Sequence, residues 1–325
     1  MMKKLKILIL CGGISSEHEV SLRSAQMVFK HLNRRKYTPT LVVIQKNGRW
    51  RFGKGNPPTS LGDALNRIKK LNFDSIFIAM HGAFGEDGRI QALLELIGLP
   101  YTGSGVVSSA ISMNKDITNT LYTIHGLRVP LYSIVNYGGR DMKINLDFPV
   151  VVKPVNGGSS VGVSIVTKKR DFKLALSKAF KEGPTVVVQK YIQGREFTCG
   201  VLEGKDGKPF ALPPTEIIPQ LSHFFDYEAK YKIGASLEIT PARLSPSMIE
   251  KIQAMAVKAH RILGCRGMSR SDFILSGSTF FILETNTIPG ITNGSLLPQA
   301  ARAANISFPM LLDMIIIASL RRKSS

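Results

Sequence analysis

The chain has 325 residues, of which 44% are hydrophobic and 20% charged, and its formal net charge is +20. Length and composition exclude one small domain or a mostly disordered chain, and predict two or three packed domains with a large core. The positive excess is spread along the chain with no separate basic tail, which fits either a polyanion (nucleic acid, an anionic membrane surface, nucleotide phosphates) or a basic surface that favours solubility.

Residues 6–11 read as a buried first strand. The run Ile7-Leu8-Ile9-Leu10 after lysines imitates a signal segment, but it is too short and no small-residue cleavage site follows. Gly12-Gly13 breaks the strand. Ser16 and Glu19 then fit a capping box, with Ser16 at the N-cap and Glu19 at N3, opening a helix to about residue 32. Strands are predicted at 40–45 and 75–80, and helices at 61–71 and 87–97. This β-α-β-α-β order implies a parallel sheet with both faces covered, whose ligand lies beyond the strand C-termini. Glu17 and His81 both fall there, each just after a strand.

Gly103-Ser104-Gly105 marks a boundary. A helix at 115–125 and strands at 131–135, 148–153, 161–167 and 185–190 follow, with a helix at 171–181: a small α+β domain. The last third opens with a strand at 196–202 and a hairpin signal at 204–207. A polar loop is predicted from 219 to 241, a helix at 246–263, and strands at 268–275 and 279–284 around the turn Ser276-Gly277-Ser278. Two helices close the chain. The apolar stretch 308–320 is short and interrupted by Asp313, so it reads as a core helix rather than a membrane span. Cys11, Cys199 and Cys265 match no zinc spacing and read as buried thiols of a reducing compartment.

Three stretches carry chemistry. In the first, a strand delivers Lys153 into Asn156-Gly157-Gly158-Ser159-Ser160. Glycines let backbone N–H groups close on an anion, serine hydroxyls add donors, and the lysine adds a point charge. A phosphate cradle and a plain Gly/Ser hairpin both fit, and no Walker motif is present. In the second, Arg270 and Asp272 share one face of a strand, and Glu284 and Asn286 share a face of the next. Carboxylates, an amide oxygen and a guanidinium meeting in this way suit magnesium completed by nucleotide phosphates, or else a surface ion-pair network. The loop 287–295 beside them is rich in backbone donors and opens onto a helix, a place for a substrate carboxylate. In the third, residues 223–231 place aromatics in a long polar loop. They either form a lid that excludes water or pin the loop to the core.

Together these stretches describe ATP activation of a carboxylate, and here the sequence resembles D-alanine–D-alanine ligases of the ATP-grasp superfamily over nearly its whole length. The matching stretches run in family order: GGISSEHEVS at 12–21, HGAFGEDG at 81–88, YTGSG at 101–105, MNK at 113–115, VKPVNGGSSVGVS at 152–164, FDYEAKY at 225–231, SRSDF at 269–273 and ETNTIPGITNGSL at 284–296.

The resemblance implies an α/β, ATP-grasp architecture. An N-terminal Rossmann-like domain spans 1–104, a central α+β domain 105–198, and a C-terminal α+β domain with lid and metal site 199–325. It implies that Lys115, Lys153, Ser159 and Ser160 meet the ATP phosphates, and that Gln189, Lys190, Ile192 and Phe225 lie about the adenine. Glu196 binds the ribose. Asp272, Glu284 and Asn286 would hold two Mg2+ (or Mn2+) ions, with Lys230 and Arg270 facing the transferred phosphoryl group. Glu17 would receive the first D-alanine's ammonium, with His81 near its carboxylate. Ser295 and Leu296 would hold the second D-alanine. Arg270 and the Gly290 N–H would stabilise the tetrahedral intermediate, and Glu17, Ser159 and Tyr231 would lock the lid. The implied protein is a cytoplasmic homodimer acting on D-alanine and ATP in peptidoglycan synthesis, without specific nucleic-acid binding or membrane insertion.

Three features depart from the family pattern: Gln189 replaces a frequent glutamate, Phe225 a frequent tyrosine, and 232–236 lacks acidic residues. Tyr231 after Lys230 favours an amine nucleophile. A relative using D-lactate or D-serine, and a nucleic-acid-binding protein, are the alternatives.

Overall fold

A computed structural model describes residues 3–53, 55–139, 144–158, 161–220 and 236–321. The first unit contains β1 (Leu5–Gly12), α1 (His18–His31), β2 (Tyr37–Ile44), β3 (Trp50–Phe52), α2 (Leu61–Leu71), β4 (Ser75–Ile78) and α3 (Arg89–Leu96). Its sheet has the order β3-β2-β1-β4. β1 pairs in parallel with β2 and β4, as the alternating pattern requires. Ile7 through Leu10 are all fully buried because both faces of β1 are covered. β3 is a short antiparallel edge strand absent from the sequence expectation; three residues are too few to show an alternating pattern.

The expected capping box does not form. α1 starts at His18, and Glu17 holds the N-cap position without a side-chain cap bond. Ser21 does the anchoring instead: its Oγ accepts from Gly12 N (2.7 Å) and donates to the Ala79 carbonyl (2.7 Å). The carboxylate of Glu17 is thereby released from capping and directed elsewhere.

Two helices follow the glycine boundary, α4 (Val106–Met113) and α5 (Lys115–Ile124). The linear division places them in the central unit, but the packing does not. Tyr122 of α5 and Leu127 join a core with Phe197, Phe273 and Phe280. Ile111 and Leu121 pack against the same core, and among the described residues no hydrophobic side chain of this segment joins the core of the small central sheet. That sheet has the order β5-β8-β6-β7, built from β5 (Tyr132–Asn136), β6 (Val150–Pro154), β7 (Ser164–Val166) and β8 (Thr185–Lys190), with α6 (Phe172–Phe180) on one face.

The C-terminal sheet is antiparallel and six-stranded, with the order β12-β11-β9-β13-β14 and β10 paired to β9. Its strands are β9 (Arg195–Glu203), β10 (Pro209–Ala211), β11 (Thr215–Pro219), β12 (Ser236–Ile239), β13 (Met268–Ser276) and β14 (Thr279–Asn286). β12 corrects the expected loop 219–241: residues 236–239 pair with β11 from Ile239 opposite Glu216 to Ser236 opposite Pro219. Four residues with one acid and one serine gave too weak a strand signal. α7 (Pro246–Ile262) packs behind the sheet, and α8 (Leu296–Ala303) and α9 (Phe308–Leu320) close the chain.

The ends of the chain share one core. Leu311, Leu312, Ile315 and Ile316 of α9 are fully buried together with β1 and β4. Ser75 and Ser319 hydrogen-bond across this seam (2.6 Å), and Lys36 pairs with Asp313. Among the described residues no single helix is long and apolar enough to cross a membrane. All three cysteines are buried thiols, and burial pushes Cys11 and Cys199 up to about 12. Because α9 fills the first core, Leu312→Ala should lower the unfolding free energy by about 3 kcal/mol. Urea denaturation measures this; a loss below ~1 kcal/mol would mean that the helix docks loosely.

Candidate active site

The site begins where β1 and β4 end side by side. Gly12 and Gly13 have φ of +82° and +105°, and a side chain on Gly12 would collide with the Ile44 carbonyl. The chain therefore turns tightly and brings Ser15 beside β4. Ser15 Oγ accepts from Glu17 N (3.3 Å) and donates to the His81 carbonyl (2.9 Å), tying the two strand ends together. Glu17 is only 8% exposed. Its Oε2 lies against Gly82, where a Cβ would overlap it, and faces Gly158, whose Cβ position is 3.6 Å away. One carboxylate thus touches both the first unit and the glycine turn of the central one.

His81 is buried and held from two sides. Its Nε2 is 2.8 Å from Ser24 Oγ, and its Nδ1 is 3.5 Å from Glu86 Oε1. Gly82 N donates to the same Glu86 oxygen (3.0 Å). Burial lifts the Glu86 carboxyl above its ordinary 4.5, and the nearby Glu17 charge adds to that lift. The hydrogen bonds from His81 and Gly82 oppose it.

The second part is a cleft between the small sheet and the six-stranded sheet. Lys115, Lys153, Gly157, Gly158, Gln189, Lys190, Ile192, Glu196, Asp272 and Glu284 all line it. The glycine turn and the acid pair therefore share one cavity. Asn114 caps α5 by accepting from the Asp116 and Ile117 N–H groups, and Lys115 N donates to the Val155 carbonyl (3.0 Å). This docks the helix start on the turn. Lys115 Nζ then donates to the Gly157 carbonyl (2.7 Å) and lies 3.9 Å from Glu284 Oε2. Val161, Val163, Ile165, Ile274 and Leu283 give the cleft an apolar slot. Gln189 projects into it from β8, and its Nε2 is buried without a hydrogen-bond partner among the described residues. An unmet buried donor costs about 1–3 kcal/mol, which a bound acceptor would recover. Lys190 lines the cleft but directs its Nζ to the Asp147 carbonyl (3.0 Å).

Sheet register assembles the acid cluster. Asp272 lies opposite Glu284, and Arg270 opposite Asn286. Arg270 clasps Asp272 through both oxygens, Nε to Oδ1 and Nη2 to Oδ2, at 3.0 Å each. Behind the pair, Ser271, Thr285 and Tyr122 form a buried hydroxyl chain at 2.7 and 2.6 Å. Among the described residues no three His, Cys, Asp or Glu side chains converge to form a metal cage. Two carboxylates and an amide oxygen make an incomplete oxygen set. It fits a hard cation that draws its remaining ligands from phosphate.

Gly290 and Ser295 belong to the loop after β14. Ser295 Oγ accepts from Thr292 N (3.0 Å), and a Cβ on Gly290 would press on that Oγ. Leu296 begins α8 and is nearly buried. Ser159, Ser160, Phe225, Lys230 and Tyr231 lie outside the described residues. Sequence reasoning overlooked Ser15, Ser24, Glu86 and Thr198. Glu86 sits within the quoted stretch 81–88. Thr198 is two residues from Glu196 on one strand and so on the same face.

Comparison with known proteins places the chain in a family. The family model described as D-ala D-ala ligase N-terminus matches residues 6–104, and that described as D-ala D-ala ligase C-terminus matches 136–317. The chain is 44% identical to the D-alanine–D-alanine ligase of Syntrophobacter fumaroxidans, over 97% of each chain. Among solved structures, the D-alanine–D-alanine ligase from Bacillus anthracis complexed with ATP superposes with a TM-score of 0.80 at 32% identity, over 98% of both chains. The VanG D-Ala:D-Ser ligase from Enterococcus faecalis reaches 0.86 at 32% identity, over 97% of this chain and 99% of that one. The chain belongs to the D-alanine–D-alanine ligase family and has its ATP-grasp fold.

Glu86 supplies a pH test of the first half-site. A carboxyl with a raised pKa binds its proton more tightly in the folded chain than in the unfolded one. Its stabilising contribution is complete below about 4.5 and is lost as pH rises through the raised value. Glu86→Gln is neutral at every pH. Its melting temperature should therefore fall less steeply than that of wild type from pH 4.5 upward; parallel curves would contradict the assignment.

Proposed function

We propose that the chain, as a member of this family, joins two D-alanine molecules to D-alanyl-D-alanine with conversion of ATP to ADP and phosphate, as a step of peptidoglycan synthesis. The observation that carries this reading is that Lys153, Gly157, Gly158, Asp272 and Glu284 line one and the same cleft. Glu17 reaches the same turn from the first unit.

In the first step a carboxylate oxygen of one D-alanine bonds to the γ-phosphorus of ATP while the bond from that phosphorus to the ADP oxygen breaks. In the second, the amine of the other D-alanine loses a proton and attacks the acyl carbon, and phosphate leaves. The first step brings anion to anion. At ~4 Å, a unit charge pair contributes about 4 kcal/mol at an effective dielectric near 20. Lysines and arginine must therefore be in place before the substrates meet. Lys115 and Lys153 meet that demand from the cleft wall, with Ser159 and Ser160 as further phosphate donors. Lys230 and Arg270 face the transferred group. Gln189, Lys190, Ile192 and Phe225 surround the base, and Glu196 takes the ribose. Asp272, Glu284 and Asn286 would hold Mg2+ or Mn2+, whose charge would offset that of the triphosphate.

Glu17 and His81 orient the first D-alanine by its ammonium and carboxylate. Ser295 and Leu296 hold the second, and Arg270 with the Gly290 N–H steadies the tetrahedral oxygen. Glu17, Ser159 and Tyr231 close the lid so that water does not reach the acyl phosphate. The same reading takes the protein as a cytoplasmic homodimer, in keeping with ATP as substrate and three thiols kept reduced.

D-serine is the alternative acceptor, because the chain is also 32% identical to a D-Ala:D-Ser ligase. The sequence relatives named D-alanine–D-alanine ligases, at up to 44% identity, support D-alanine as acceptor. Mass spectrometry of products from ATP, magnesium, D-alanine and D-serine decides between them. D-alanyl-D-alanine should dominate, and absence of ADP formation with D-alanine would overturn the reading. Glu284→Gln should abolish turnover, and normal rates at ordinary magnesium would remove Glu284 from the metal site. Arg270→Lys should lower the rate about a hundredfold, equivalent to ~3 kcal/mol, because an ammonium cannot reproduce the guanidinium fork. Near-normal kinetics would make Arg270 structural.

A further inference from the structure

Thr198 has no place in the roles above, yet it touches the acid at their centre. It lies on β9, directly opposite Asp272 of β13 on one side and Thr215 of β11 on the other. Directly opposed residues share a sheet face, so Thr198 stands on the same face as Asp272 and Glu284. It is 2% exposed. Its Oγ1 donates to Asp272 Oδ1 at 2.7 Å; the other acceptor in reach, the Ser271 carbonyl, is farther at 3.2 Å.

An ionised carboxylate offers about four lone-pair directions, two on each oxygen. On Asp272, Oδ1 receives Thr198 Oγ1 and Arg270 Nε, and Oδ2 receives Arg270 Nη2. Oδ1 is therefore filled. One direction remains among the described contacts, and it is on Oδ2. Arg270 alone would leave both oxygens with an open direction, and the carboxylate could offer either or both to a cation. The threonine hydroxyl removes that choice.

We propose that Thr198 is a positioning residue that, together with Arg270, presents Asp272 to the divalent cation as a one-oxygen ligand through Oδ2. The proposal rests on reading the acid cluster as a metal site. It adds a determinant that the motif residues do not include: the metal-binding carboxylate is set by a neutral hydroxyl from the neighbouring strand. The two outer hydroxyls of the same face are committed elsewhere. Thr215 bonds Thr240 at 2.6 Å, and Thr240 accepts from Gln299 Nε2 at 2.9 Å. Neither replaces the bond if Thr198 loses its hydroxyl.

The test titrates Mn2+ into the full-length enzyme with ADP, reading free Mn2+ by electron paramagnetic resonance. The magnesium dependence of D-alanine-dependent ADP formation is measured in parallel. Thr198→Val keeps the shape and removes the hydroxyl. It should weaken Mn2+ binding, and raise the half-saturating magnesium, by about tenfold or more. Thr198→Ser keeps the hydroxyl and should restore both. A purely structural threonine would instead show a lower melting temperature in Thr198→Val with unchanged Mn2+ affinity, and that result overturns the proposal. So does a Thr198→Ser variant as impaired in Mn2+ binding as Thr198→Val. If Thr198→Val does not yield folded protein, Thr198→Ala takes its place in the same comparison. Wild-type enzyme that retains turnover but binds no Mn2+ with ADP would sink the metal reading and this proposal together. Unchanged Mn2+ binding in the valine variant, with turnover intact, would sink this proposal alone.

Discussion

Two carboxylates facing each other across paired strands are the constraint on which the cleft depends. Asp272 and Glu284 are direct neighbours in the β13–β14 register, and like charges in that position destabilise a sheet. The hairpin tolerates them because each acid has its own cation. Arg270 clasps Asp272 from two residues away on the same strand, and Lys115 approaches Glu284 from the start of α5. The second cation comes from a distant part of the chain, so charge balance requires α5 to be docked. The apolar packing of α5 on the core of the C-terminal sheet supplies that docking.

The strands and helices that run long were legible from pattern alone. β1, α2, β8, α7 and the β13–β14 hairpin stand out as long apolar runs or periodic segments, and the short turn puts Arg270 and Asp272 beside Glu284 and Asn286. The direct opposition of Asp272 to Glu284 depends on a register shift after Asp272 that no pattern in the sequence marks. Short elements were not legible. β3 and β12 have too few residues for period two to stand out, and α4 begins straight after glycines with no capping side chain. The capping box at Ser16 and Glu19 failed for a different reason. Local propensity favoured Ser16 as a cap, but Ser15 was drawn to the His81 carbonyl across the sheet end, a long-range bond that no local window contains. In the same way the motif residues of the site could be read in order, while the groups that hold them could not. Ser24 and Thr198 act on residues brought to them only by the fold.

The glycine turn shows why two half-sites behave as one. Gly157 has φ of +138°, and nothing would obstruct a side chain there, so it is glycine for its backbone conformation. That conformation turns the Gly157 carbonyl toward Lys115 Nζ. Gly158 differs: it faces the Glu17 carboxylate at a distance that would still admit a side-chain carbon. One residue thus connects the turn to Lys115 and the next faces the acid of the first unit. Any shift of the turn would move both contacts together. On the proposed reading, a donor amino acid at Glu17 and a nucleotide at Lys153 would both lie against this turn, although the chain is divided among three cores.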